Sequence, residues 1–251
     1  MRIVRFVYRG KTSYGCVEND SVYVLSGSPF EGQQRGDEVA RLDEVRLLAP
    51  CEPSKIVAVG LNYRRHAEET DHELPAEPLL FLKPPTAVVG PLADVVYPAM
   101  SRRVDYEAEL AVVIGRRAKA LTREEVPAHI LGYTCGNDVT ARDLQRKDGQ
   151  WTRSKGFDTF CPLGPWIVTD LAHPGQVDLS CRVNGVTKQA SNTNDLVFDI
   201  PTLVSYISQV MTLEPGDVVM TGTPSGIAPV QRGDVMEIEI EGIGVLKNTV
   251  A

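Results

Sequence analysis

The sequence lacks a long apolar run: none of its hydrophobic stretches approaches the eighteen or so residues of a membrane-spanning helix. It also lacks an excess of basic residues, because 26 lysines and arginines face 33 aspartates and glutamates, for a net charge of −7. Such a chain is poorly suited to nucleic acid or to an anionic membrane surface. We therefore expect no nucleic acid and no membrane as partners. A small anionic substrate remains compatible, since a local basic cluster or a bound cation overrides the overall charge.

Cysteine and histidine are scarce and scattered. The five cysteines are widely spaced with no C-x-x-C pair, and the four histidines form no zinc-type set with them. This pattern is typical of reduced thiols and not of a disulfide framework or a zinc cluster. The sequence therefore predicts a cytoplasmic protein.

Common catalytic motifs are missing as well. There is no G-x-x-x-x-G-K-[ST] and no G-x-G-x-x-G after a predicted strand, the loops that bind nucleotide phosphates. Residues 222–226, GTPSG, differ from the G-x-S-x-G nucleophile elbow because the serine comes one position late. These absences exclude a nucleotide-binding enzyme and a serine hydrolase of those types.

The N-terminal part of the chain reads as a small β-unit. Residues 2–7 and 21–25 are apolar and β-branched, and residues 26–37, rich in Gly, Ser and Pro, are typical of a linker. We therefore predict a small N-terminal β-unit at residues 1–50 and a second, larger domain at residues 51–251.

Strands also dominate the remainder of the sequence. Asn184-Gly185 between apolar residues predicts a type I′ hairpin turn, since both residues tolerate positive φ. The clearest helix runs from Ile200 to Met211, with apolar residues at helical spacing and Pro201 near its start. The predicted fold class is a β-rich α+β fold.

The most informative segment is VDYEAELAVVI at residues 104–114, predicted as one strand. Side chains alternate faces along a strand, so Asp105, Glu107 and Glu109 should share a face. Two uncompensated carboxylates about 4 Å apart repel by roughly 4 kcal/mol at an effective dielectric of 20. Either this face is solvated and the carboxylates splay apart, or they share a proton or a cation.

Three further segments contain clustered polar residues: GLNYRRHAEE at 60–69, NDVTARDLQ at 137–145 and SKGFDTFCPLGP at 154–165. Together with E-x-E at 107–109 and TGTPSG at 221–226, they resemble the motifs of the fumarylacetoacetate hydrolase family. The resemblance covers roughly residues 51 to 251. It implies a mixed β-roll catalytic domain and a homodimer. It also implies a 2-oxo or diketo acid substrate, acted on by C–C hydrolysis, decarboxylation or tautomerisation.

The resemblance also implies a metal site. In the family, two strand glutamates and a later aspartate bind one Mg²⁺ or Mn²⁺, and here they fall on Glu107, Glu109 and Asp138. Three carboxylates without histidine or cysteine suit these hard cations and are poor ligands for zinc. Such a site leaves about three octahedral positions for water or for a chelating 2-oxo acid. Asp105 is expected beyond the ligands or facing solvent.

His66 and Glu69 are three residues apart and share a face of a predicted helical turn, with Glu68 as a competing partner. A carboxylate on one imidazole nitrogen makes the other a better base, although such a pair is also common on helix surfaces. The resemblance implies that the pair lies on a short lid and transfers protons. It also implies that Lys155 stabilises anionic charge, where an exposed lysine is the alternative.

Four residues are candidates for substrate binding: Arg142, Gln145, Tyr63 and Thr223. Arg142 and Gln145 could bind a substrate carboxylate, or Arg142 could instead form an ion pair with Asp143 or Glu109. Tyr63 either closes over the ligand or packs in the core, and Thr223 either contacts the substrate or belongs to a plain turn.

The sequence therefore predicts a Mg²⁺- or Mn²⁺-dependent enzyme that hydrolyses or decarboxylates a small 2-oxo acid, of the acylpyruvate or oxaloacetate type. The alternative reaction is isomerisation of 2-hydroxyhepta-2,4-diene-1,7-dioate or tautomerisation of oxaloacetate, in aromatic catabolism. An alternative of another class is a metal-binding protein that has lost catalysis.

Overall fold

Three β-sheets and four short α-helices form the described part of the computed structural model, which covers residues 1–69 and 73–251. The α-helices are α1 (Arg64–Glu69), α2 (Arg142–Asp148), α3 (Thr152–Lys155) and α4 (Ile200–Val210). Single 3₁₀ turns lie at Leu42–Glu44, Pro85–Ala87, Val126–His129 and Thr193–Asp195. The predicted β-rich α+β fold is confirmed. Within these residues, each helix is too short or too polar to cross a membrane.

The strands of the first half of the chain are β1 (Arg2–Tyr8), β2 (Lys11–Glu18), β3 (Ser21–Leu25), β4 (Arg35–Arg41), β5 (Arg46–Leu47), β6 (Ile56–Gly60), β7 (Leu79–Lys83), β8 (Val88–Val89), β9 (Asp94–Val95), β10 (Val104–Asp105) and β11 (Ala108–Ile114). Those of the second half are β12 (Ile130–Asn137), β13 (Thr140–Ala141), β14 (Cys161–Val168), β15 (Asp178–Val183), β16 (Val186–Asn192), β17 (Val218–Met220), β18 (Pro229–Val230), β19 (Val235–Ile240) and β20 (Gly244–Val250).

The largest sheet has the strand order β4-β3-β2-β1-β14-β12-β11-β17-β6-β7, with β5 beside β1 and β8 beside β14. A second sheet has the order β16-β15-β19-β20-β9, and a small third sheet joins β13, β10 and β18. Inward side chains of the first two sheets form the main core, to which Leu110, Val112, Ile238 and Leu246 contribute.

The N-terminal strands extend the large sheet. β1 runs antiparallel to β14, with Arg2 opposite Val168, and Ile3 packs in the same buried cluster as Ile56. The predicted C-terminal bound of the linker at residues 26–37 is wrong, because β4 begins at Arg35 and pairs with β3. Residues 1–50 therefore share both a sheet and a core with the rest of the chain.

The acidic segment forms two strands and not the single one predicted. β10 pairs with β13 and β18, whereas β11 pairs with β12 and β17, so the chain passes from one sheet to another at Tyr106 and Glu107. At this junction the Glu107 N–H donates to the side chain of Asn137 (2.9 Å), and the Tyr106 hydroxyl donates to the Gly226 carbonyl (2.8 Å). These bonds replace ladder partners and fix Glu107 where the sheets meet.

The hairpin and the long helix agree with the sequence. Asn184 and Gly185 have φ values of 51° and 75°, as a type I′ turn requires. α4 begins after Asp199, whose side chain accepts the Thr202 N–H (2.9 Å), and it ends one residue earlier than predicted, at Val210.

A buried carboxylate joins the two parallel strands that lead into the polar segments. Asp217, fully buried before β17, accepts N–H bonds from Ser54 (3.0 Å), Lys55 (3.1 Å) and Glu214 (2.8 Å). It also pairs with the Lys55 ammonium. β6 continues into α1 and β17 into residues 221–226, so this junction sets the distance between those two segments.

We expect Asp217→Ala to lower the free energy of unfolding by about 3 kcal/mol, because it leaves buried backbone donors and an ammonium without an acceptor. Urea unfolding followed by circular dichroism measures the loss. Asp43→Ala, at an exposed aspartate, is the control and should change stability by less than about 0.5 kcal/mol. Equal stability of the two variants would contradict the assigned role.

Candidate active site

Three buried carboxylates meet where β11 and β12 pair. Ligand-type oxygens of Glu107, Glu109 and Asp138 all lie within 4.8 Å of one another, and the three side chains are 5%, 1% and 1% exposed. Glu109 lies on β11, Glu107 just before it, and Asp138 directly after β12. The antiparallel register places Asp138 beside Glu107, whose carbonyl accepts the Asp138 N–H (2.9 Å). This burial excludes the alternative in which the acidic face of the segment is solvated.

Two lysines neutralise the Asp138 side of the cluster. The Lys155 ammonium donates to Glu107 (2.9 Å) and Asp138 (2.5 Å), and it is only 2% exposed. The Lys83 ammonium donates to the other oxygen of Asp138 (2.5 Å) and to the Val139 carbonyl (3.3 Å). The exposed-lysine alternative for Lys155 is wrong.

Arg142 forms the ion pair that the sequence left open, but with different partners. Its Nε donates to Asp105 (2.9 Å), one terminal nitrogen pairs with Glu107, and the other donates to Gln145 (2.6 Å). Neither Asp143 nor Glu109, the two predicted partners, is involved. Asp105 is fully buried and also accepts two bonds from Arg103 (2.9 and 3.1 Å), so the solvent-facing alternative for Asp105 is wrong.

Glu109 differs from its two neighbours. Its carboxylate accepts the Gly222 N–H (2.8 Å), and among the residues that the structure describes it has no ion-pair partner. Gly222 adopts φ +101°, and a Cβ there would lie 2.9 Å from that of Asn62, so glycine is required at this donor. Asn62 is fully buried and bonds to the Thr221 and Phe198 carbonyls (2.8 and 3.1 Å), which fixes the loop.

The ionisation of the cluster is explained by these contacts. Burial by itself raises the pKa of Glu107, but Lys155 and Arg142 outweigh it and hold this pKa below its ordinary value. Burial raises the pKa of Glu109 well above its ordinary value, and the carboxylates of Asp138 and Glu107 raise it further. Among the described residues, Glu109 is therefore the carboxylate of this cluster whose charge no side chain neutralises directly.

The donor set fits a hard divalent cation. All three candidate ligands are carboxylates and they converge. Glu109, which has no cationic partner within residues 1–69 and 73–251, is held in place by a backbone N–H. A cation at this point would relieve the repulsion that raises the Glu109 pKa. Oxygen donors alone favour Mg²⁺ or Mn²⁺ over zinc.

The predicted His66–Glu69 pair forms on α1. Nδ1 of His66 lies 3.3 Å from Glu69, so Glu69 and not Glu68 is the partner. Both oxygens of Glu69 also accept the Gly226 N–H (3.1 Å each). Glu69 therefore links α1 to the loop that contains Thr223.

A cavity of about 550 Å³ brings most of the predicted residues together. Its lining includes all three candidate ligands and the predicted residues His66, Glu69, Arg142, Gln145, Lys155 and Thr223. Tyr63 is not part of this lining: it is fully buried in the main core, and its hydroxyl has no hydrogen-bond partner among the described residues. Of the two alternatives for Tyr63, packing in the core therefore describes its position.

Aromatic side chains form an apolar wall of the cavity. Phe81 and Trp151 pack edge to face with ring centroids 5.1 Å apart, and the Lys155 ammonium lies 5.0 Å from the Phe81 centroid. A Cβ at Gly60 would lie 2.7 Å from the Trp151 indole, so the glycine provides the space that this ring occupies. Leu61 and Ile227 add to the apolar lining.

Several functional residues escaped the sequence analysis. Lys83 and Asn62 orient groups at the carboxylate cluster, and Gln189 accepts the Ala108 N–H (3.0 Å) while donating to the Thr223 hydroxyl (2.8 Å). Asn62 lies within the polar segment at 60–69 and Lys83 is a polar residue after the apolar LLFL, but nothing in the sequence marks Gln189.

The fold and site thus define a β-rich protein whose buried three-carboxylate centre opens into a cavity of small-molecule size. Residues 55–251 match the family described as fumarylacetoacetate (FAA) hydrolase C-terminal, and the chain belongs to the fumarylacetoacetate hydrolase family. Residues 1–50 match a separate family, described as Rv2993c-like, N-terminal.

Named relatives are similar over most of their length. Oxaloacetate tautomerase FAHD2A, mitochondrial, of Bos taurus is 46% identical over 219 residues, which cover 82% of this chain and 70% of that protein. The crystal structure of 5-carboxymethyl-2-hydroxymuconate delta-isomerase from Mycobacterium smegmatis is 47% identical, with a TM-score of 0.94 and coverage of 100% and 99%. That of 2-hydroxyhepta-2,4-diene-1,7-dioate isomerase from Mycobacterium marinum is 44% identical, with a TM-score of 0.93 and coverage of 100% and 98%.

We expect two isosteric substitutions to have different effects on metal-free stability. Glu107→Gln should lower the free energy of unfolding by about 3 kcal/mol, because it leaves Lys155 and Arg142 undercompensated. Glu109→Gln should not lower it, since it removes a repelled charge and keeps an acceptor for Gly222.

Both variants should nevertheless weaken Mn²⁺ binding by at least about tenfold, the loss typical of disturbing even a residue that supports a ligand. Urea unfolding in EDTA and calorimetric titration with Mn²⁺ measure the two quantities. Glu109→Gln with unchanged Mn²⁺ affinity would contradict the assigned metal site.

Proposed function

We propose that this protein is a divalent-metal-dependent enzyme that shifts a proton between the keto and enol forms of a small 2-oxo acid. The observation that carries the proposal is the convergence of the carboxylate centre, the His66–Glu69 pair and Lys155 on one cavity. The tautomerase and the two isomerases, at 44–47% identity, are more similar to this chain than the fumarylacetoacetate hydrolase from Exiguobacterium antarcticum, at 38%, and this difference supports a proton shift over bond cleavage.

Glu107, Glu109 and Asp138 would hold Mg²⁺ or Mn²⁺. When bound, the ion would supply Lewis acidity that favours negative charge on the 2-oxygen of the substrate. Lys83, Lys155 and Arg142 form ion pairs with Asp138 and Glu107 and hold these carboxylates in place, so the ligands are preorganised.

Charge balance favours an anionic substrate. Four buried carboxylates (Asp105, Glu107, Glu109 and Asp138) are matched by four basic side chains (Arg103, Arg142, Lys83 and Lys155). A divalent cation would give this group a net charge of about +2. A 2-oxo carboxylate that develops a second negative charge on enolisation matches this surplus.

His66 is proposed to transfer the proton at the carbon next to the oxo group. Glu69 contacts Nδ1 and stabilises the imidazolium that forms when the ring takes up a proton, and Nε2 is the atom assigned to the exchange. Because Glu69 also accepts the Gly226 N–H, the pair is held at the side of the cavity that Thr223 lines.

The same residues would also serve C–C hydrolysis or decarboxylation, the reactions that the sequence favoured. In hydrolysis the His66–Glu69 pair would activate water, and in decarboxylation it would protonate the enolate left by loss of CO₂. The homodimer and the cytoplasmic location stay predictions from the sequence.

The reaction is tested with oxaloacetate added as its enol form, with Mg²⁺ or Mn²⁺. We expect faster decay of the enol absorbance than with metal alone, deuterium exchange at C3 by NMR in D₂O, and no excess pyruvate. Enzyme-dependent pyruvate in step with substrate loss would make decarboxylation the activity. Failure to turn over oxaloacetate, acylpyruvates or 2-hydroxyhepta-2,4-diene-1,7-dioate would overturn the proposal.

His66→Asn should lower kcat about 100-fold or more while Mn²⁺ affinity stays within about twofold, because a general acid–base group is lost and no ligand is changed. His173→Asn, at an exposed histidine with positive φ that asparagine tolerates, is the control and should keep full activity. Full activity of His66→Asn would exclude the assigned proton transfer.

A further inference from the structure

We propose that Arg146 determines substrate specificity by binding a second carboxylate, at the end of the substrate distant from the 2-oxo group. This inference rests on the proposed function and deepens it: the preferred substrates would be 2-oxo dicarboxylic acids.

The other basic groups of the cavity are already engaged by the protein. Arg142 donates from Nε and both terminal nitrogens to Asp105, Glu107 and Gln145, and Lys155 is paired with Glu107 and Asp138. Their charge neutralises buried carboxylates and holds them in position. Neither group presents an unengaged cation for the distal end of a ligand.

Arg146 differs from these two groups in its exposure and in its lack of protein partners among the described residues. It lines the same cavity, it is exposed, and in residues 1–69 and 73–251 no ion pair or hydrogen bond engages its side chain. Asp143, three residues before it on α2, would be its natural helical partner. Asp143 instead accepts bonds at both oxygens from other groups, the Ser101 hydroxyl (2.7 Å) and the Arg102 N–H (3.0 Å).

The position of Arg146 suits a distal group. It lies four residues after Arg142 on α2, on the same helix face and ~6 Å farther along the axis. Arg142 contacts Glu107, so Arg146 lies one helical turn beyond the arginine that contacts the carboxylate centre. Phe81, Trp151 and Ile227 offer apolar surface in the same cavity to the carbon chain of a substrate.

A guanidinium binds a carboxylate through two parallel N–H···O bonds, which gives direction as well as charge. An arginine that no protein carboxylate engages, at the edge of a cavity whose interior favours anions, is therefore a site for the second carboxylate of a dianion. A neutral tail would leave this guanidinium solvated and gain nothing from it.

The test uses three ligands in calorimetric titrations of the Mn²⁺-loaded protein: oxalate, 2-oxopentanoate and 2-oxoglutarate. The last two differ only in a methyl or a carboxylate at the distal end. We expect wild type to bind 2-oxoglutarate about tenfold more tightly than 2-oxopentanoate, as one charge-assisted contact supplies. Arg146→Gln should abolish this preference and leave oxalate affinity within twofold.

Two further variants test whether the preference depends on Arg146 itself and on its guanidinium group. Lys147→Gln removes the same charge from the next residue, which is exposed and does not line the cavity, and it should keep the preference. Arg146→Lys should restore part of it, because the charge returns without the planar fork. An undiminished preference in Arg146→Gln, or none in wild type, would overturn the role of Arg146. Absence of oxalate binding would instead overturn the proposed function, and this inference with it.

Discussion

The structure depends on one unfavourable interaction, the burial of Glu109 beside Glu107 and Asp138 with no cationic partner among the described residues. A fold tolerates converging buried carboxylates only where other groups pair with them or an ion binds between them. Here basic side chains compensate Glu107 and Asp138, while a single backbone N–H from Gly222 supports Glu109. A hard cation would supply the positive charge that is still missing at Glu109.

The surroundings of this centre divide the cavity into two sides. On one side, strands β11 and β12 and the basic residues that pair with the carboxylates form a buried, closely bonded base. On the other side, α1 is linked to the loop at residues 221–226 through Glu69 and Gly226. Since α1 comes after β6 and the loop after β17, the buried Asp217 junction controls how these two segments face each other. In the proposed function, preorganised charge stabilises an enolate while the His66–Glu69 pair exchanges the proton.

Relatives of this chain are named as a tautomerase, isomerases and a hydrolase, and a carboxylate centre by itself does not select among these reactions. Hydrolysis requires a water molecule at a carbonyl, decarboxylation requires a leaving carboxylate, and tautomerisation requires only a proton donor. We propose that the distinction comes from the rest of the cavity, where Phe81 and Trp151 limit its shape and Arg146 adds positive charge that none of the described residues engages. Binding energy from parts of a substrate distant from the reacting atoms orients those atoms.

Resemblance to the family motifs singled out the three carboxylates as candidate ligands, whereas the sequence by itself determined the β-rich fold class, the Asn184-Gly185 hairpin and the helix from Ile200. These features obey local rules: turn chemistry, helical spacing and the alternation of side chains along a strand. Only the tertiary structure decided that the acidic segment breaks at Glu107 between two sheets, and that Lys83, far away in sequence, neutralises one of the three carboxylates. Sequence patterns report the periodicity of one element, whereas an ion pair depends on which strands become neighbours. The choice of partner for each buried charge is therefore a property of the folded chain.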